Sequence, residues 1–400
     1  MRIETQCLHE GYHPENGEPR VLPIYQSTTY RYDSTEFVGK LFDMKAEGHM
    51  YSRISNPTVA CVEDKIAALE GGVGALLTTS GQMANLISLL NILGCGDHFI
   101  SSAAIYGGTV NLFAVTMKNM GIDCTFIDND ATEDEIRAAF RPNTKAIFGE
   151  VIANPKLSVL DIEKYAKVAH EMGVPLIVDN TFATPVLCRP FEWGADIVTH
   201  STTKYMDGHA CVVGGAIVDG GSFDWAKNGR YPGLTEPDES YHGLVYVKDF
   251  PASPYITKAR LQLTRDFGFC PTAQAAWLTN LGLETLALRV ERHSANALAV
   301  ARYLAGQEKI EFVNYPFLEG DKYYDLAHKY LRGGIFLCQR RARKGGQVYR
   351  QPEARFAGGA RCGSAHGGAA PRKLHAPSAH RRTARRSRDY AGSGPVLLRH

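Results

Sequence analysis

Residues 175–204 read PLIVDNTFATPVLCRPFEWGADIVTHSTTK. Two short apolar runs stand in this stretch, over 175–179 and 197–200, and each ends abruptly on polar residues. Runs of this kind suit strands buried on both faces of a parallel sheet. Outward from them the same alternation continues. A helical pattern over 161–172 is closed by Gly173. Strands are predicted over 74–79, 98–101, 124–127, 146–150 and 212–218, and helices over 82–93, 109–120 and 132–140. The last of these helices opens with a capping box, Thr132 and Glu135. Strands separated by helices of this length predict an α/β fold with a mostly parallel sheet flanked by helices. From 259 to 305 the pattern changes to long helices, and the run from Leu281 to Arg292 predicts a helix linking two domains. In such sheets ligands sit beyond the carboxyl ends of the strands. Ser80-Gly81-Gln82, Asp179-Asn180 and Ser201 to Lys204 all fall there.

Composition narrows the classes. The chain has 400 residues, 44% apolar and 22% charged, an ordinary globular balance for two or three domains. No uninterrupted apolar run approaches the ~20 residues of a membrane span. The first 18 residues are polar, with Glu4, His9, Glu10 and Glu15, and predict no secretory signal. Nine scattered cysteines, without a C-x-x-C pair, argue against a disulfide framework or zinc ribbon and for a reducing cytoplasm.

The polar clusters carry chemistry. A Schiff-base lysine must sit where a carbonyl can reach it, and Lys204 lies in a polar turn just after a predicted strand. Ser201 and Thr203 precede it and are placed to hold a phosphate. The ordinary alternative for Lys204 is a solvated lysine at a strand end. Asp179 ends a very apolar strand, where a carboxylate needs a partner. A protonated pyridine nitrogen would serve, while the alternative is a cap on the following loop. Ser80-Gly81-Gln82 passes from strand into helix, and free N–H groups there suit a phosphate. It also reads as an ordinary strand–helix turn. Tyr106 follows another strand and offers a ring to stack on a planar cofactor, or else a half-buried interface tyrosine. Arg53, next to Tyr51 in a polar segment, is a phosphate ligand by geometry or a solvated loop arginine. The glycine run 71–74 precedes its strand instead of following it, so it does not fit a dinucleotide fingerprint.

Together the segments YSRISNPT at 51–58, TSGQ at 79–82, YGGT at 106–109, Asn154-Pro155, VDNT at 178–181, HSTTK at 200–204, Gly214-Gly215 and GLETL at 282–286 resemble the Cys/Met-metabolism family of pyridoxal 5′-phosphate (PLP) enzymes. The order is the family's over about 330 residues. Within the family the chain is most similar to the O-acetylhomoserine sulfhydrylases. The stretches that carry this are YGGTVNLF at 106–113, NPKL at 154–157, TPVLCRPF at 184–191 and YPGLTEPDESYHGLVY at 231–246.

The resemblance implies a fold-type I PLP-dependent transferase in which Lys204 carries the cofactor and moves protons. It implies that Asp179 pairs with the pyridine nitrogen and that Tyr106 stacks on the ring. Ser80, Gly81, Gln82, Ser201 and Thr203 would bind the phosphate, helped by Tyr51 and Arg53 from a neighbouring subunit, with Glu150 and Asn154 near the ring. The implied assembly is a dimer of dimers. The implied reaction is γ-replacement on O-acetylhomoserine by sulfide or a small thiol, yielding homocysteine or methionine and acetate. The rival within the family is a γ-lyase. The implied organisation is an extension over 1–58, a PLP-binding domain over 59–255, and the start of a C-terminal domain over 256–338.

Residues 339–400 break the pattern. They hold 13 Arg and 2 Lys against Glu353 and Asp389, with six Leu, Val or Phe and no Ile. The remainder holds 29 basic and 40 acidic side chains, so the net charge of +2 conceals a split. Relatives carry here a mixed α/β domain that binds the substrate carboxylate. This chain offers only near-misses such as Lys373-Leu374-His375-Ala376-Pro377-Ser378. The composition is that of GC-rich DNA read out of frame from about 331–338, which leaves no carboxylate-binding arginine to assign. It further predicts an unstable or poorly active chain, with apolar surface exposed on helices 261–305. Two readings from other classes compete. One is an inert remnant that assembles with intact relatives, and the other is a basic arm that binds nucleic acid.

Overall fold

The computed structural model describes residues 1–334, apart from Pro155, Lys309 and Glu311, and two short backbone strands at Ala342–Lys344 and Gln347–Tyr349. The Arg-rich segment over 339–400 otherwise lies outside the described residues.

The central sheet has seven strands: β1 (Gly74–Thr78), β2 (His98–Ser102), β3 (Asp123–Ile127), β4 (Thr144–Glu150), β5 (Leu176–Asp179), β6 (Ile197–His200) and β7 (Gly215–Asp219). Their order is β1-β7-β6-β5-β4-β2-β3. Strand β7 runs antiparallel to both β1 and β6, and the other pairings are parallel. The predicted strands therefore match the observed ones within one to three residues at their ends. The central strands carry apolar residues on both sides because both faces are covered. Ile147, Val178 and Val198 join one core cluster, while Phe148, Ile177 and Ile197 join the other.

Helix α1 (Pro57–Glu70) starts where the Asn56 side chain accepts from the amides of Thr58 and Val59, and ends at Gly71 with φ of +80°. Its Val59, Val62, Ile66 and Leu69 recur at helical spacing and are buried. Helix α2 (Gly81–Leu90) is capped by Ser80, whose hydroxyl accepts from Met83 N. Helix α3 (Ile162–Glu171) is capped by Asp161. The Thr132–Glu135 capping box is present as predicted.

Three expectations are corrected. The helix expected over 109–120 is α-helical only over Gly107–Asn111 and continues as a π-helix over Leu112–Met117. Phe113 on that wide turn packs edge-on against Phe99 and Phe148, with centroids 4.9 and 5.0 Å away. The strand expected from 212 begins at Gly215, because the Thr203 hydroxyl takes up both backbone groups of Gly214. The single linking helix is two, α4 (Ala273–Glu284) and α5 (Leu286–Ala305), broken at Thr285 with φ −109° and ψ 7°. Arg289 spans the break, donating to Thr285 Oγ1, to Gly282 O and to Tyr205 O. On α5, Leu288 and Tyr303 are each 67% exposed.

Candidate active site

Six strands end at one edge of the sheet, and the antiparallel β7 begins there, so Gly215 lies opposite Thr78 and Ala216 opposite His200. Glu150 and Asp179 are paired across β4 and β5, and Asp179 and Thr199 across β5 and β6. The turn carrying Lys204 leaves the end of β6. Its tightness comes from backbone bonds, Lys204 N to Ser201 O, Asp207 N to Thr202 O and Gly208 N to Lys204 O. The Lys204 amine makes no hydrogen bond or ion pair with the described residues.

Asp179 is buried, and its oxygens are assigned. Oδ1 accepts from Thr181 N at 3.0 Å and Thr181 Oγ1 at 2.5 Å, and Oδ2 accepts from Asn85 Nδ2 at 3.1 Å. The network extends outward in both directions. Thr199 donates to Asn85 Oδ1 at 2.6 Å, Thr109 donates to Gln82 Oε1 at 2.9 Å, and Ser201 N donates to Thr181 Oγ1 at 2.7 Å. Asn85, Thr109, Thr181 and Thr199 thus orient the acid. The sequence reading had assigned none of them a role. Thr109 and Thr181 stood in the quoted motifs YGGT and VDNT.

Glu150 is buried beside that acid and accepts from Tyr106 N at 2.6 Å. Burial first, then the Asp179 charge, push its carboxyl well above the usual carboxylate range, against the pull of the Tyr106 and Asn154 amides. Tyr106 is half exposed, and its ring lies over Gly108, where a Cβ would come within 2.5 Å of it.

The N-terminus of α2 meets the Lys204 turn directly. A Cβ on Gly81 would lie 2.5 Å from Ser201 Cβ and 2.8 Å from its Cα. Gly215 is likewise pressed on Ser80, with its Cβ position 2.4 Å from the Ser80 carbonyl oxygen. Ser80, Gly81, Gln82 and Ser201 are therefore brought together. Thr203 reaches the same turn, but its hydroxyl donates to Gly214 O and accepts from Gly214 N. A hydroxyl has one proton, so Thr203 must release that carbonyl before donating to a phosphate. Tyr51 and Arg53 are not brought in. Arg53 donates to Arg265 O and lies over the exposed Tyr51 ring, and neither makes a polar contact with the other site segments.

A family model described as Cys/Met metabolism PLP-dependent enzyme matches residues 4–349. The chain belongs to this family. Similar proteins include O-acetyl-L-homoserine sulfhydrylase of Leptospira meyeri, 45% identical over 345 residues, which are 84% of this chain and 78% of that one. O-acetyl-L-homoserine sulfhydrylase 1 of Thermus thermophilus is 46% identical over 335 residues, 83% of this chain and 79% of that one. A crystal structure of an O-acetylhomoserine (thiol)-lyase from Campylobacter jejuni superposes with a TM-score of 0.82 at 36% identity, covering 86% of this chain and 85% of that one. That protein carries N′-pyridoxyl-lysine-5′-monophosphate.

Family membership makes the chain a PLP-dependent enzyme of fold type I. The residues present fit that cofactor. An oriented buried acid, an unpaired lysine amine and the first N–H groups of a ten-residue helix share one sheet edge. The helix–turn contact at Gly81 has no room for a methyl group. Gly81→Ala is expected to cost about 1–3 kcal/mol of stability through overpacking. It is also expected to release cofactor more readily, read by thermal melting and by dialysis of bound PLP. Wild-type values in both measurements would contradict the close approach.

Proposed function

We propose that this chain catalyses γ-replacement on O-acetyl-L-homoserine by sulfide or a small thiol, giving homocysteine or methionine and acetate. The convergence of Asp179, Lys204 and the α2 N-terminus on one edge supports the cofactor chemistry. The relatives' names support the substrate. Bound PLP supplies an electron sink for the pair left at the substrate α-carbon.

The chain's own residues do the rest. Asp179 holds the pyridine nitrogen protonated, and its remaining lone pairs are fixed by Thr181 and Asn85. Lys204 Nζ would hold the cofactor and, with substrate bound, would be the base that takes the α-proton and then moves protons at Cβ. Acetate leaves from Cγ, and the sulfur adds there. Tyr106 covers the ring, while Gly81, Gln82, Ser80 and Ser201 hold the phosphate, with Thr203 after it releases Gly214. Asn154 and the buried Glu150 would line the ring edge. Tyr51 and Arg53 serve the site of a neighbouring subunit in a homo-oligomer, which accounts for their distance from this chain's own cluster. The domain limits stay those of the sequence reading, with 339–400 an out-of-frame product.

No helix of the described residues is long and apolar enough to cross a membrane. A cytoplasmic location is part of the proposal, resting on the scattered cysteines.

The assay supplies O-acetylhomoserine with sulfide and quantifies homocysteine against 2-oxo acid and ammonia. Homocysteine is expected to dominate. Dominance of the oxo acid would move the assignment to γ-elimination.

A further inference from the structure

Glu70 ends α1, outside every motif that carries the cofactor chemistry, yet its side chain is fully buried. Its Oε1 accepts from His200 Nε2 at 2.6 Å and from Asn180 Nδ2 at 2.8 Å. His200 is 1% exposed at the end of β6 and immediately precedes Ser201. Asn180 immediately follows Asp179, and its amide also donates to Cys188 O. One carboxylate oxygen therefore ties together the two strand ends from which Asp179 and Lys204 project.

Fold stability alone does not call for this arrangement. A buried polar triad is often no more stabilising than well-packed apolar residues of similar volume. Here Glu70 Oε2, His200 Nδ1 and Asn180 Oδ1 have no hydrogen-bond partner among the described residues, which adds to the expense. The shared acceptor instead fixes a geometry. If it moves, Asn180 and His200 move with it, and the ends of β5 and β6 lose the side-chain tie that fixes the residues next to Asp179 and Ser201. They stay joined there by Asn180 N to Thr199 O, by the Asn85 side chain between Asp179 Oδ2 and Thr199 Oγ1, and by Ser201 N to Thr181 Oγ1.

We propose that Glu70 is a positioning residue, acting through the hydrogen bonds of Asn180 and His200 to set Asp179 against Lys204. It touches neither substrate nor cofactor. The inference rests on the cofactor site proposed above.

The test uses the full chain loaded with PLP and reads the pH midpoint of the bound cofactor's visible absorbance. A purely structural role would not move that midpoint. Val178→Ala, a core variant on β5, is the control for lost stability. Glu70→Ala and Asn180→Ala are expected to move the midpoint by about one pH unit, a tenfold change in proton affinity. Val178→Ala and Glu70→Gln, whose amide oxygen keeps both acceptor contacts, are expected to hold the wild-type midpoint. Midpoints in both Glu70→Ala and Asn180→Ala no different from the control would overturn the inference. So would a Glu70→Gln midpoint displaced as far as that of Glu70→Ala, because charge and not geometry would then be acting. Should Glu70→Ala not fold, Asn180→Ala decides. A wild-type chain without any visible cofactor band would fail the site assignment itself, which separates the two readings.

Discussion

Lys204→Ala is expected to keep the fold and to lose kcat by about 10³-fold or more, the scale of removing a group that transfers protons and carries a covalent intermediate. The fold survives because the Lys204 amine has no hydrogen bond or ion pair to lose among the described residues. Its thermal stability should stay within about 0.5 kcal/mol of wild type, as for a substitution away from packed features. A second amine makes the test discriminating. Lys258 is buried, and burial pushes its amine down to about 8, the direction in which a Schiff-base lysine is tuned. Its position rules it out. Lys258 Nζ donates to Asn91 O at 2.7 Å, and Asn91 is the C-cap of α2. The phosphate candidates are at the other end of that helix, about 15 Å away at 1.5 Å per residue. Borohydride reduction followed by peptide mapping is expected to label the peptide around Lys204 and to leave that around Lys258 unlabelled. A label on Lys258, or turnover retained in Lys204→Ala, would refute the assignment.

The fold was legible where the physics is local or strongly periodic. Strands such as β5 and β6 open on apolar residues buried on both faces, and a polar residue marks the sheet edge at once. The same reasoning found the Asp179 and Lys204 positions, since both follow such runs. Asn85 was not legible. On sequence it is one polar residue on a mixed helix, and its role exists only because β5 and α2 bring Asp179 within 3.1 Å. Glu70 was hidden for the opposite reason. A carboxylate before Gly71 reads as a solvated helix end, and only the long-range contact with His200 makes it part of the site. The break at Thr285 was missed because its neighbours are good helix formers, and the Arg289 bonds that hold it come from tertiary structure.

Replacing residues beyond about 338 with the translation of the adjacent reading frame is expected to restore a periodic α/β domain, to raise the melting temperature and to increase turnover at least tenfold. The composition break motivates this, and three observations support it. The match to the Leptospira meyeri sulfhydrylase leaves out about a fifth of that protein's length, since 78% of it is covered. Helix α5 presents Leu288 and Tyr303 to solvent, each 67% exposed, and Phe312 beyond it is 47% exposed. Covering a large apolar side chain fully is worth about 1.5–3 kcal/mol, so a domain closing over three of them restores several kcal/mol. A cavity of ≈ 480 Å³ lies against the same helix, between Leu187, Leu298, Tyr315 and Phe317, with Arg332, Gly333 and Gly334 on its wall. The chain leads into the break directly from that wall. A domain built in frame would start where apolar walls already stand, and it would be expected to bring a ligand for the substrate carboxylate. The comparison is of the two purified chains, by thermal melting and by homocysteine formation. An adjacent frame that reads as nonsense, or a present chain already turning over at the rate of the restored one, would show that the Arg-rich ending is the protein's own.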